Sequence, residues 1–258
     1  MTIKKKEVSN EVIEKPSQEL IVIDMDQYAG MGSEEVKAED LSIPFLRIAQ
    51  PLSPQVVEEG TAKAGDFINS ATMENYGNEI KVVVVGYNKR YNHWKSQDFG
   101  GGFLGSFRDG DPLVTETKKK GFQGAKAWID EETYLAETFN FGVIITSNNN
   151  AQVIFPLTSS GIKTAKKWLT FMQLQVTAQG KTKAFFHREY TLTTLKQSKK
   201  VGSQTQTWYE PVFKPSDFVT NEALVNQAVA FNNFFKTYQP KTGDMVNEAV
   251  VEEAEFDG

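Results

Sequence analysis

Residues 80–87 read Ile-Lys-Val-Val-Val-Val-Gly-Tyr. A run of β-branched residues is stiff at χ1 and packs well on a pleated surface, so it predicts a strand buried on both faces. The run continues into Asn-Lys-Arg-Tyr-Asn-His-Trp-Lys (88–95). Strand alternation there puts Tyr87, Lys89, Tyr91 and His93 on one face, and Arg90, Asn92 and Trp94 on the other. Such a strand needs partners, and the sequence offers them. FNFGVIIT (139–146) and AQVIFPL (151–157) predict a hairpin across the SNNN turn (147–150). AFFHREYTLTTL (184–195) and WYEPVFKP (208–215) predict a second hairpin, joined by a polar loop QSKKVGSQTQT (197–207). AGDFINS (64–70) and KAWID (126–130) read as short strands, and 98–112 as a glycine- and aromatic-rich loop. Prolines 44, 51 and 54 deny a regular helix to LSIPFLRIAQPLSPQV (41–56).

Two stretches carry helical spacing. Ile162, Ala165, Leu169, Met172 and Val176 fall on one face of a helix over 161–176, with Ser159 or Ser160 as its cap. Leu224, Ala228, Phe231, Phe235 and Tyr238 form the stripe of a helix over 218–238, ended by Pro240 and Gly243. Strands followed by one helix, a hairpin and a last helix give a mainly β or α+β fold. A doubly wound parallel sheet would need regular alternation of strand and helix.

The 258 residues are 40% hydrophobic, enough for a packed core. Zero cysteine excludes disulfides, thiolate catalysis and cysteine-ligated metals, and His93 and His187 are too few for a histidine metal site. No apolar run is long enough to span a bilayer, and the start MTIKKKEVSNEVIEK lacks the apolar segment of a secretory signal. A soluble protein of the cytoplasm, the host's if the chain is viral, is expected.

Enzyme templates fail. Gly100–Gly105 matches G-x-G-x-x-G only formally, because SFRDGDP follows it where a helix should open. Gly180-Lys181-Thr182 resembles the end of a phosphate loop, but Gln175 stands where its first glycine is required. Asp24/Asp26 and Asp109/Asp111 lack a third acidic ligand nearby, and turn chemistry accounts for the second pair. Neither G-x-S-x-G nor H-E-x-x-H occurs. No catalytic residue, cofactor or metal is expected.

Charge is segregated along the chain. Residues 1–40 and 241–258 each carry −5, and the body between them carries +5. Residues 163–200 hold nine cations (Lys163, Lys166, Lys167, Lys181, Lys183, Arg188, Lys196, Lys199, Lys200) and one acid, Glu189. Such a stretch is either a solvated face or a polyanion-binding surface.

Cations also alternate with aromatics in two clusters. The first comprises Tyr87, Lys89, Arg90, Tyr91, Trp94, Lys95, Phe99, Phe103, Phe107 and Arg108. The second comprises Lys181, Lys183, Phe185, Phe186, Arg188 and Tyr190, then Lys196, Lys199, Lys200, Trp208 and Tyr209. Single-stranded nucleic acid calls for both residue types: aromatics stack on bases and lysine or arginine meets phosphate. Tyr91, Trp94, Tyr190 and Trp208 are the aromatics expected to stack. The competing reading is that these rings fill a core.

The tail MVNEAVVEEAEFDG (245–258) is acidic and carries an aromatic, Phe256, near its end. An acidic segment of that kind can mimic nucleic acid or dock on a basic partner. With the basic aromatic body and a helix set between strands, this tail resembles the bacteriophage single-stranded-DNA-binding proteins. LSIPFLRIAQPLSPQV, GGGFLGSF and TWYEPVFK also look like segments of uncharacterised phage early proteins. Residues 1–40, rich in Glu, Lys and Ser and without a sustained period, read as a flexible acidic arm; the resemblance implies an elaborated OB-fold barrel (41–240) and a disordered tail (241–258). It also implies coating of exposed DNA strands, RNA being open on the chemistry. Polymerase or helicase would be recruited through Glu252, Glu253, Glu255, Phe256 and Asp257, and self-association is allowed. The sequence departs from that family in that Asp257 and Gly258 follow the aromatic. Length beyond a minimal barrel requires inserted loops such as 98–126. An alternative is a phage structural or host-interaction protein using the aromatic surface as a protein interface. A nucleic-acid enzyme with an unfamiliar acidic site is a third.

Overall fold

The computed structural model describes residues 25–35 and 44–238. The chain divides into two units, Met1–Leu41 and Ser42–Gly258. In the first, Met25–Tyr28 form one 3-10 turn, followed by a Met31 N–H donating to the Tyr28 carbonyl. The second is mainly β. In chain order it holds β1 (Leu46–Ile48), α1 (Pro54–Val57), β2 (Phe67–Asn69), β3 (Asn75–Gly77), β4 (Glu79–Lys95), β5 (Phe103–Phe107), α2 (Pro112–Lys119), β6 (Lys126–Trp128), β7 (Thr133–Ile145), β8 (Ala151–Leu157), α3 (Gly161–Gln173), β9 (Arg188–Val201), β10 (Gln204–Phe218) and α4 (Glu222–Thr237).

The β-branched run is the middle of a large antiparallel sheet. Its two long strands, β4 and β7, pair from Val82 to Lys95 and from Thr133 to Ile145, and each changes its other neighbour along the way. The first half of β4 pairs with β9 and its second half with β5. The first part of β7 pairs with β6 and its second part with β8. One half of the sheet therefore reads β10-β9-β4-β7-β8, and the other β5-β4-β7-β6. A register shift between Val84 and Gly86 inverts the alternation along β4. Before it, Val82 and Val84 face the main core; after it, Tyr87 does.

That main core lies between the sheet and α3, which inserts Ala165, Trp168 and Met172. The Trp168 indole stacks on Phe141 and Phe213, with ring centroids 4.9 and 5.6 Å apart. α4 covers the opposite face with Ala228, Phe231 and Phe235, and Asn232 Nδ2 donates to the Val85 carbonyl. A small antiparallel sheet, β1-β2-β3, completes the main core through Leu46 and Phe67.

Several expectations need correction. The strands do not close into a barrel: the large sheet ends at β10 and β5 on one side and at β8 and β6 on the other. The small sheet spans β8 and β10 without laddering fully onto either. It meets β8 through an isolated Phe45–Ile154 bridge, and β10 through the Gln50 side chain, whose Oε1 accepts from the Tyr209 N–H and whose Nε2 donates to the Tyr209 carbonyl. Residues 197–207 are not a loop. β9 and β10 continue through them to a two-residue Gly202–Ser203 turn, with Gly202 at φ +59°. Pro211 and Pro215 are tolerated in β10 because it is an edge strand. They share the phase of Tyr209, whose N–H points away from β9 to Gln50. The 98–126 insertion holds β5 and α2: Asp111 caps α2 by accepting from the Leu113 N–H, and Pro112 occupies its first turn. α3 stops at Gln173, and Val176 instead bridges Thr182.

Candidate nucleic-acid interface

The first cation–aromatic cluster is a piece of the fold. Tyr91 and Trp94 are 0% and 1% exposed, and Phe103 is buried against Trp94. Their alternation on β4 is as expected, but both faces of that half of the sheet are covered, so neither ring can receive a base. Tyr91 lies with Val114, Ala127 and Leu135 under α2. Trp94 packs with Phe45, Tyr134 and Phe235. The cations are equally committed. Lys89 pairs with Glu137; burial opposes its charge, yet the Glu137 carboxylate and the Tyr91 hydroxyl hold its pKa above the ordinary lysine range. Lys95 lies 3.7 Å from Glu132. Arg90 is buried and donates from Nη2 to the Tyr238 carbonyl at the C-terminal end of α4, so it serves the fold rather than a phosphate. Burial, then the nearby Arg108, lowers its pKa. Of this cluster, Phe99 (45% exposed) and Arg108 stand at the surface, and Phe107 is half-buried.

The second cluster behaves differently. Its single acid, Glu189, is used up by Lys81 at 3.4 Å and by the Thr146 hydroxyl. None of the nine cations of 163–200 forms an ion pair with any described residue. Lys163, Lys166 and Lys167 stand exposed on α3, Lys181 on the connection, and Lys196, Lys199 and Lys200 at the far end of β9. Exposed cations without an acid partner are free to meet a polyanion. Tyr190 is the exception to this pattern. It is 0% exposed, lies edge-on to Trp168, and burial pushes its hydroxyl pKa up to about 12. Tyr190 is a core residue.

Two aromatic groups remain beside those cations. Trp208 is half-buried on the outer face of the β9–β10 hairpin, opposite Gln197, and its Nε1 donates to Glu210 at 2.9 Å. Tyr209, opposite Lys196, faces the other way, toward the small sheet. Phe218 is a ring that sequence reading missed because the residue was assigned to a helix. It ends β10, is 56% exposed, and carries the Arg188 guanidinium at 4.5 Å and the Lys183 ammonium at 5.8 Å from its centroid. Arg188 is held by donation from Nε to the Ser216 carbonyl. His187 joins this group, 5.9 Å from the Phe218 ring; burial, with Lys183 and Arg188 nearby, lowers its pKa against the Ala184 carbonyl. Of the aspartates considered as metal ligands, Asp109 pairs with Lys118 at 2.7 Å and Asp111 caps α2, while Asp24 lies outside the described residues. No group of three or more metal-ligating side chains occurs among the described residues, and no described helix is long and apolar enough to cross a membrane. Glu252, Glu253, Glu255, Phe256 and Asp257 lie outside the described residues.

No curated protein and no solved structure matches the chain. The model of one family, described as Pam3 phage gp34-like protein, matches residues 14–241. That span takes in both cation–aromatic clusters, the large sheet and α4. The chain belongs to the Pam3 phage gp34-like family.

Proposed function

We propose that this protein binds single-stranded nucleic acid without chemistry, through a surface that runs from α3 and the 174–187 connection around the β9–β10 hairpin, with Lys196 and Lys200 in the strand phase that faces α3 and Lys199 and Trp208 in the outer phase. The observation that carries the reading is the contrast between the two clusters: Lys89 and Lys95 are neutralised by acids, whereas none of the nine cations of 163–200 has an acid partner among the described residues. From Arg188 to Lys200 the cations run for about 40 Å along β9, at a rise of ~3.3 Å per residue. Trp208 and Phe218 are the stacking rings, replacing Tyr91, Trp94 and Tyr190. An open sheet flanked by a small one suffices for this role, since a cationic groove with stacking platforms is what a single strand requires. The acidic tail, residues 241–258, competes for the same cations and recruits replication proteins. The test is fluorescence anisotropy with labelled oligo-dT over a salt series, on the full chain and on a chain ending at Pro240. Tight binding at low salt, stronger without the tail, supports the reading. Absence of binding in both overturns it.

A second reading has its own observation. Leu195 and Val212 are 52% and 41% exposed on the same outer hairpin face as Trp208. Apolar side chains around a tryptophan suit a protein interface of a phage structural or host-interaction protein. A stable complex lost on Leu195→Lys or Val212→Lys, with oligo-dT affinity absent, would favour it.

A further inference from the structure

The seam where the barrel fails to close holds a cavity of about 410 Å³ between β1, β8, β10 and the start of α3. Its floor is apolar, formed by Leu46, Ile48, Phe155 and Leu157, and Tyr209 forms one wall. Gln55, Thr158 and Ser160 supply hydrogen-bonding groups to the lining, and no hydrogen bond from their side chains occurs within the described residues. Two features single the seam out. Among the described residues four non-glycine residues have left-handed backbone: Asn149 and Asn150 in the β7–β8 turn, Met73 (φ 59°) in the β2–β3 turn and lining this cavity, and Ser159 (φ 46°) between the lining residues Thr158 and Ser160. Left-handed backbone at non-glycine residues costs energy and gathers at ligand sites. The wall is also held rigidly: Gln50 fixes the Tyr209 backbone at both its N–H and its carbonyl, and Thr194 Oγ1 donates to the Gly65 carbonyl behind it.

We propose that this cavity takes one base of the bound strand, a deepening that rests on the single-strand reading above. Arg47 and Glu59 also line the cavity and offset each other in charge, and the apolar floor would leave a phosphate desolvated, so the charged end of a nucleotide belongs outside. Outside, Lys196 stands opposite Tyr209 on the same face of the hairpin, and Lys163 lies in the first turn of α3, just beyond the lining residue Gly161. An aromatic wall, polar groups at the mouth and cations beyond it match base, edge and phosphate in that order.

The test uses an oligo-dT carrying 5-iododeoxyuridine, photo-cross-linked to the full chain and read by peptide mass spectrometry, with Kd measured for the wild type, Gln55→Trp and Gln55→Ala. The base in the cavity predicts a cross-link at Tyr209. It also predicts that the indole of Gln55→Trp, filling the mouth, weakens binding roughly 5- to 150-fold, the worth of one stacked base. Gln55→Ala controls for folding and should change Kd far less. Oligo-dT that binds the wild type but cross-links only at Trp208 or Phe218, with Gln55→Trp unaffected, overturns the cavity assignment and leaves the single-strand reading standing. Oligo-dT that does not bind the wild type at all overturns both.

Discussion

Gly65→Ala tests how the small sheet is seated on the hairpin. Gly65 has φ +98°, and a Cβ there would lie 2.7 and 2.8 Å from the Tyr209 ring and 2.9 Å from Thr194 Oγ1. Two costs add. Forcing a non-glycine residue into left-handed backbone costs about 1–2 kcal/mol. Displacing a packed ring and a hydrogen-bonded hydroxyl costs about 1–3 kcal/mol more. The sum, roughly 2–5 kcal/mol, is a large part of a typical domain's stability. It corresponds to a Tm loss of roughly 4–20 °C for a chain of this size. Gly77→Ala separates the two: Gly77 has φ +75° but nothing within 4 Å of its would-be Cβ, so only the backbone cost of about 1–2 kcal/mol applies. Urea unfolding of both variants gives the difference directly. Equal losses for the two would refute the close seating of Tyr209 on Gly65.

Other substitutions follow from buried groups. Tyr190→Phe removes a buried hydroxyl that has no hydrogen-bond partner among the described residues, so stability should stay level or rise by about 1 kcal/mol in urea unfolding. His93 and His187 both have pKa values lowered from 6.5, chiefly by burial. The unfolded chain therefore binds protons first as pH falls through 6.5, and stability contributed by the neutral rings is present above that pH and lost below it. Unfolding free energy should decline from pH 7 downward, and the double variant His93→Gln, His187→Gln should flatten that decline. Trp208→Ala should weaken oligo-dT binding roughly 5- to 150-fold while leaving Tm within about 2 °C, because the indole sits on the outer hairpin face.

Local pattern fixed the elements more readily than their partners. The β-branched run of β4, its alternation through Trp94, the asparagine turn between β7 and β8 and the apolar stripes of α3 and α4 all follow from spacing within a few residues. What went unread depends on long-range neighbours. Nothing near Lys89 or Lys95 in sequence announces Glu137 or Glu132, which arrive on the paired β7 strand and the turn before it. Tyr91 and Trp94 look like an exposed alternating pair until α2, folded from a segment read as loop, covers one face and Phe45 and Phe235 cover the other. The 197–207 stretch reads as polar loop because an edge hairpin standing in solvent needs no apolar side. Gln50, which bridges the seam, lies 159 residues from Tyr209. The nine-cation stretch, by contrast, is legible as a composition, and among the described residues the fold pairs none of its cations with an acid.

The central claim is that those cations meet a polyanion. Oligo-dT affinity of the full chain should be measured against salt for the wild type and for Lys196→Gln, Lys199→Gln, Lys200→Gln combined. The account predicts tight binding at low salt and a log–log slope shallower by about 2 in the triple variant, at ~0.7 for each phosphate no longer neutralised. An unchanged slope, or no binding by the wild type, would contradict it.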